Sequence, residues 1–198
     1  YHTTGRSAAL WILNYGPADV RALTGASRGF FEAPPAGFAE VRLWSPRLVL
    51  TLAAMGDEAA LDALLAGGTG LRRIDVAAAM AMVPAIRRGA VGAALVEEGT
   101  FDLDVAALHQ GFLRQMSRLG GSLALRSRTM RIARHSGAWE VEVTGGAVFR
   151  APLLVNAAGA WGDEVAEQAG VRPVGLVPKR RTGVIIDPAP WQPADWPA

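Results

Sequence analysis

The sequence predicts a mixed fold of helices and short strands, α/β or α+β, and three segments carry that prediction. Asp104 to Leu119 places Val105, Leu108, Phe112, Leu113 and Met116 on one helical face and ends at Gly120-Gly121. Trp139, Val141 and Val143 alternate with Glu140, Glu142 and Thr144, the period of a half-buried strand. Leu153 to Asn156 is a continuous apolar run, as expected of a strand inside a parallel sheet. It leads through Ala157-Ala158-Gly159-Ala160 into an acidic helix over 163–169. This order fits neither a helix bundle nor a sandwich.

The remaining elements follow in chain order. Ser7 to Tyr15 is a short apolar segment behind Thr3-Thr4-Gly5-Arg6-Ser7, whose hydroxyls suit a helix cap, and Gly16-Pro17 breaks it. Ala18 to Phe31 carries Val20, Leu23, Ser27 and Phe30-Phe31 at helical spacing and stops at Ala33-Pro34-Pro35-Ala36-Gly37. Leu48 to Ala53 is a strand. Asp57 to Ala66 is a helix with an acidic first turn, closed by Gly67-Gly68. Asp75 to Met82 is a short helix stopped by Pro84, and Val91 to Val96 is a strand. Strands are also expected at Ser122–Leu125, Thr129–Arg134, Val148–Arg150 and Val184–Ile186, with Gly145-Gly146 as a tight hairpin turn.

Composition narrows the function classes. A chain of 198 residues, 51% hydrophobic and 19% charged, has apolar content enough for a core in one domain or two small ones. The absence of Cys removes disulfides, thiolate metal sites and Cys nucleophiles. The net charge is +2, and Lys179 is the only lysine. The arginines are scattered along the chain, which argues against nucleic acid as a partner. No run approaches 18 uninterrupted apolar residues and the first residues lack a signal-peptide pattern, so the chain reads as soluble, without an integral membrane segment, and cytoplasmic. His2, His109 and His135 lack metal-ligand spacing, and no metal site is expected. Asp102 and Asp104 read as an N-cap pair, and no Ser/His/Asp triad or G-x-S-x-G elbow occurs.

Three segments invite a ligand. The strand–small-residue turn–helix unit, Leu153 to Ala169, allows close approach at Ala157, Ala158 and Gly159 and offers helix N–H groups to an anion; simple close packing explains it equally well. Thr3 to Ser7 joins hydroxyls, a glycine and a guanidinium, parts for a polar cofactor edge or for an N-cap with a solvated arginine. Pro178-Lys179-Arg180-Arg181-Thr182 could hold a carboxylate, or could be a charged strand edge that discourages aggregation.

Taken together, these segments resemble one family. Tyr1 to Ala9, Tyr15-Gly16, Val20 to Thr24, Pro34 to Phe38, Asp102 to Asp104 and Leu108 to Gly111 are similar to FAD-dependent amine oxidoreductases of the D-amino-acid oxidase type. So are Val155 to Trp161, Gly170 to Pro173 and Pro178 to Arg181, with the bacterial D-arginine dehydrogenases nearest in look. The resemblance implies a flavoprotein with a partial Rossmann-like FAD domain and part of a sheet-based substrate domain. Residues 1–40 and 101–172 would belong to the first, residues 41–100 to the second, and 173–198 would begin the return to it. It implies that Thr4, Gly5, Arg6, Ser7, Ala8 and Ala9 line the cofactor, that Ala157, Ala158, Gly159 and Trp161 close over it, and that Thr129 lies against the adenine. Tyr15 and Arg181 match positions that contact the carboxylate of a small amino-acid substrate. The implied chemistry is hydride transfer from the amino-acid Cα to flavin.

Two departures shape the expectation. Val49, Leu10 and Ile12 stand where the arginine-oxidising relatives carry a carboxylate, a His and a Thr, and an apolar lining cannot solvate a buried cation. Apolar D-amino acids are therefore expected over D-Arg and D-Lys. There is also no G-x-G-x-x-G in the chain. The resemblance thus covers the middle of such an enzyme, about half of it, and the chain alone is expected to bind FAD poorly or not at all. The missing portions as a second chain, making this half of a two-chain flavoprotein, or a catalytically inactive remnant with a binding or scaffold role, form the alternative reading.

Overall fold

The computed structural model describes residues 9–180, 182 and 187–198. The chain divides into two units, Tyr1–Gly121 with Ile186–Ala198, and Ser122–Ile185.

The first unit is built on two three-stranded antiparallel sheets. In one, β6 (Phe101–Leu103) lies between β1 (Leu10–Trp11) and β2 (Trp44–Pro46). In the other, β5 (Val91–Glu97) lies between β3 (Val49–Ala54) and β4 (Leu71–Ile74). The apolar run of β5 is covered because it is central: residues 93–97 are all buried. Helix α2 (Glu58–Gly67) packs on β3 and β5, so that Leu61 meets Ala53, Ala93 and Leu95, flanked by Leu64 and Leu65. Burying a side chain such as Leu95 contributes about 1.5–3 kcal/mol. Helix α3 (Val76–Met82) adds Ala79 against β5.

A second cluster is aromatic, with Trp11, Phe38 and Phe101 buried and Phe112 at its exposed edge. Helix α1 (Ala18–Glu32) supplies Phe30 and Phe31, and helix α4 (Val105–Arg118) supplies Phe112. Phe30 stacks on Phe112 at 5.8 Å and meets Phe38 edge-on at 5.0 Å, while Trp11 stacks on Phe101 at 5.1 Å. The glycine at position 111 permits this approach, since a Cβ there would lie 2.4 Å from the Phe38 ring. The Asp104 carboxylate caps α4 by accepting from the Ala107 amide. Asp102 does not cap the helix; it sits in β6 and pairs with Arg47 at 2.8 Å.

In the second unit, β7 (Thr129–His135), β8 (Ala138–Val143) and β9 (Val148–Ala151) form an antiparallel meander. Gly145 and Gly146 turn the β8–β9 hairpin with φ of +89° and +82°, values that only glycine adopts freely. Helix α5 (Gly162–Gln168), entered through a 3₁₀ turn at Gly159–Trp161, packs on β7.

Several expectations need correction. Residues 10–11 form a strand and not a helix start, because β6 supplies a partner far along the chain that no local signal announces. Ser122–Leu125 has no strand pairing, and Leu123 and Leu125 are exposed. Leu153–Asn156 is likewise extended chain without a ladder: the described residues contain only antiparallel pairs, so the parallel neighbour its apolar run anticipates is not among them. β2, β4 and β6 are present without having been expected. The strand expected at Val184–Ile186 lies outside the described residues.

Candidate functional site

Four of the residues that the resemblance marks for substrate, Leu10, Ile12, Tyr15 and Val49, lie near in chain or opposite in register to groups tied to one buried carboxylate, Glu97. Trp11 fixes β1 to α1, its indole N–H donating to the Thr24 carbonyl at 2.9 Å and to Ser27 Oγ at 3.3 Å. With Trp11 turned into the core, Leu10 and Ile12 are half-buried on either side of it. The chain then meets Glu97. Its Oε1 accepts from the amides of Leu13 at 2.9 Å and Asn14 at 3.2 Å. Asn14 makes a reciprocal pair with Thr69: its Nδ2 donates to the Thr69 carbonyl at 2.8 Å, and its Oδ1 accepts from the Thr69 amide at 2.9 Å. Tyr15 follows directly and projects from this braced turn, 66% exposed. Glu97 stands opposite Val49 in the β3–β5 register, and Val49 is only 8% exposed. Val49, Ile12 and Tyr15 are thereby tied to a common point, with Leu10 two residues before Ile12. Neither Glu97 nor Asn14 stands out in the sequence. A contact spanning 83 positions leaves no local pattern, and Glu97 at the end of an apolar run reads as a strand terminus.

In the second unit, Ala157, Ala158, Gly159 and Trp161, which the resemblance marks for the cofactor, lie in one turn. The Asn156 side chain organises it, Oδ1 accepting from the Ala158 amide at 3.2 Å and Nδ2 donating to the Gly162 carbonyl at 2.7 Å. Gly159 has φ of +57°, and a Cβ built on it would meet nothing within 4 Å. Ala157, Ala158 and Gly159 thus form a turn of small residues, open at Gly159, and Trp161 follows, half exposed. Asp163 then holds the segment beyond α5: its carboxylate accepts from the amides of Val174, Gly175 and Leu176 at 3.0, 2.8 and 2.7 Å. Those bonds, the Val174 amide foremost, hold the Asp163 carboxyl below its ordinary range. Thr129 opens β7, opposite Val143. Ala9 lies in the first unit, its carbonyl accepting from the Leu103 amide at 2.8 Å. Thr4, Gly5, Arg6, Ser7, Ala8 and Arg181 lie outside the described residues.

Two concavities are lined by described residues. A cleft of about 470 Å³ surrounds the Arg47–Asp102 pair, with Met82 and Trp196 among its walls. A shallower one of about 300 Å³ lies between Arg28, Trp44 and Phe101. Neither is lined by a residue that the sequence marked for substrate or cofactor. In both, the arginines already have partners: Arg47 donates to Asp102 and to the Trp196 carbonyl, and Arg28 to Glu32 and the Gly99 carbonyl.

Comparison with known proteins gives this geometry its family. The FAD dependent oxidoreductase family, DAO, matches residues 1–198. The chain belongs to that family. Among solved structures, glycine oxidase from Geobacillus kaustophilus superposes with a TM-score of 0.71 at 18% identity, over 84% of this chain and 48% of that one. FAD-bound L-α-glycerophosphate oxidase from Mycoplasma pneumoniae gives 0.71 at 13% identity, over 85% and 47%. Iminodiacetate oxidase from Chelativorans sp. BNC1 gives 0.64 at 23% identity, over 85% and 49%. The chain spans about half the length of these structures, and at such identities the likeness establishes the fold. FAD is the cofactor of the DAO family, and the small, open turn at 157–159 fits close approach by such a group. The glycine-rich phosphate cradle is not in the sequence. No described helix is long and apolar enough to cross a membrane.

Proposed function

We propose that this chain forms the central part of a cytoplasmic FAD-dependent enzyme that oxidises the CH–NH₂ group of apolar D-amino acids. In this reading residues 1–40 and 101–172 serve the flavin side, residues 41–100 the substrate side, and 173–198 begin the return to it. When bound, the flavin supplies the acceptor for the hydride of the amino-acid Cα, leaving an imino acid that water hydrolyses. The chain's own residues bind and orient. Thr4 to Ala9, Thr129, Ala157, Ala158, Gly159 and Trp161 hold the cofactor; Arg181 takes the substrate carboxylate as a two-pronged donor and Tyr15 adds a hydroxyl to it.

The observation that carries the preference for apolar side chains is the engagement of Glu97. It is the carboxylate beside Val49, and its Oε1 is already occupied by two amides. With Val49, Leu10 and Ile12 apolar, a substrate guanidinium would lose its water beside a single carboxylate that already serves two backbone amides.

The test is the visible spectrum of the purified protein, titrated with FAD and then, without oxygen, with D-methionine, L-methionine and D-arginine. In the complete enzyme that contains this segment, uptake of flavin followed by bleaching with D-methionine ahead of the other two is expected, while the segment alone is expected to take up little or no FAD. Bleaching fastest with D-arginine would overturn the side-chain preference, and bleaching with L-methionine alone would overturn the handedness.

One observation is shared by the second reading, a flavoprotein completed by another polypeptide. Leu153 and Val155 are 73% and 74% exposed in an extended segment with no strand partner among the described residues. Flavin uptake only after addition of a complementary chain would decide for it.

A further inference from the structure

We propose that Glu97 is a positioning residue for the substrate site: it fixes the Leu13–Asn14 backbone and thereby sets where Tyr15 is presented. The inference rests on the reading of Tyr15 given above.

Glu97 is 5% exposed, in the central strand of its sheet, with apolar register partners on both sides, Val49 on β3 and Leu71 on β4. A charged group in such a place is costly unless hydrogen-bonded, and an apolar residue would fill it without that cost. Its Oε1 is bonded to two consecutive amides of a segment 83–84 positions away, and those amides immediately precede Tyr15. The Asn14–Thr69 pair anchors the same turn from the other side. Directly after Tyr15 comes Gly16 with φ of +89°, then helix α1 from Ala18. Tyr15 is therefore the exposed residue between a braced turn and a backbone reversal. Its direction depends on the brace, because its own side chain is too exposed to be held by packing. Glu97 also lies beside Val49, so one side chain links the wall that selects the substrate side chain to the segment that meets the substrate carboxylate.

The test uses the complete FAD-loaded enzyme that contains this segment, with Glu97→Met, Glu97→Gln and Tyr15→Phe, read by steady-state kinetics with D-methionine and by amide hydrogen exchange at residues 13 and 14. Met fills the space without accepting a hydrogen bond; Gln keeps an acceptor oxygen. Glu97→Met is expected to raise KM about tenfold with kcat within about threefold, and to speed exchange at Leu13 and Asn14 at least about tenfold while residues 93–96 stay protected. Glu97→Gln is expected to stay within about twofold of wild type in both readouts. Tyr15→Phe is expected to raise KM with the exchange unchanged. An unaltered KM and exchange in Glu97→Met, or a Gln variant as damaged as the Met variant, would overturn the proposal. A Tyr15→Phe variant with wild-type KM would overturn the reading of Tyr15, and the positioning role with it, even where exchange responds to Glu97. Should Glu97→Met fail to fold, slow exchange of the two amides in wild type together with wild-type kinetics in Glu97→Gln supports the proposal, and fast exchange in wild type overturns it.

Discussion

The two units of this chain are held by different forces. In the first, Trp11, Leu43, Leu61, Leu95, Val96 and Phe101 are buried, and helices α2 and α3 lie on the β3–β5–β4 sheet. In the second, Ile132 and Val143 are the buried apolar side chains among the described residues, while Leu153, Val155, Val174 and Val177 are exposed. Hydrogen bonding does there what packing does in the first unit: the Asn156 turn, the three amides on Asp163 and the glycine hairpin define its shape. A segment shaped by local polar contacts keeps its conformation while leaving apolar surface available for cover. A segment shaped by a core buries that surface within itself.

The sharpest way to break this comparison is a pair of leucine truncations. Leu95→Ala, at a buried position of β5, is expected to cost about 2–5 kcal/mol in urea unfolding, and Leu153→Ala, at an exposed one, to stay within about 0.5 kcal/mol. Equal losses would mean that the second unit has a core after all. Next in size is Gly145→Ala. Space is open around that position, so the cost is conformational, about 1–2 kcal/mol at a left-handed residue, and should appear as fraying of β8 and β9 by hydrogen exchange. Asp104→Ala removes the cap of α4 and should lower stability by about 1 kcal/mol, measured as a shifted urea midpoint. The exposed Arg72–Glu98 pair is a control, with Arg72→Ala costing less than about 0.5 kcal/mol.

The smallest global effect belongs to Asp163, and its sign follows from linkage. Its carboxyl titrates below the ordinary 3.8 in the folded chain, so its contribution is fully present above that value. That contribution is lost as pH falls from there through the lowered folded value. Exchange at 174–176 should therefore stay protected from neutral pH down to the ordinary carboxylate range and lose its protection below it. Asp163→Asn should show weakened protection at those amides already at neutral pH, with the urea midpoint of the first unit unmoved. A midpoint that moved would show the two units unfolding as one.

Much of this was legible in the sequence, and the limits have physical causes. Helices α1, α2 and α4 carry their own signals: apolar spacing in Val105 to Met116, Asp104 as cap, glycines at the ends. The β7–β9 meander is readable because its turns are local. Strands of two to four residues such as β1, β2, β4 and β6 exist only through partners far along the chain, and nothing in Leu71–Ile74 announces a ladder with β5. Leu153–Asn156 misleads in the opposite direction, since an apolar run states that it will be buried and not by what. The site divides the same way. Tyr15, Val49, Leu10 and Ile12 are marked by resemblance alone, whereas Glu97 and Asn14 emerge only once distant segments are folded together.

The edge of the β7–β9 meander has a consequence for behaviour in concentrated solution. All four residues of β9 are exposed, Val148 and Phe149 among them, and β8 is its only strand partner among the described residues. Such an edge is a template on which a second molecule can add a strand, the first step of aggregation. Arg150, within the strand and paired with Glu140 of β8, is the guard against it. Its guanidinium places a charge on the ribbon that an incoming copy would have to bury. Replacing Arg150 by an apolar residue would turn a tolerated edge into an adhesive one, with turbidity rising with protein concentration while the folded chain itself is unchanged.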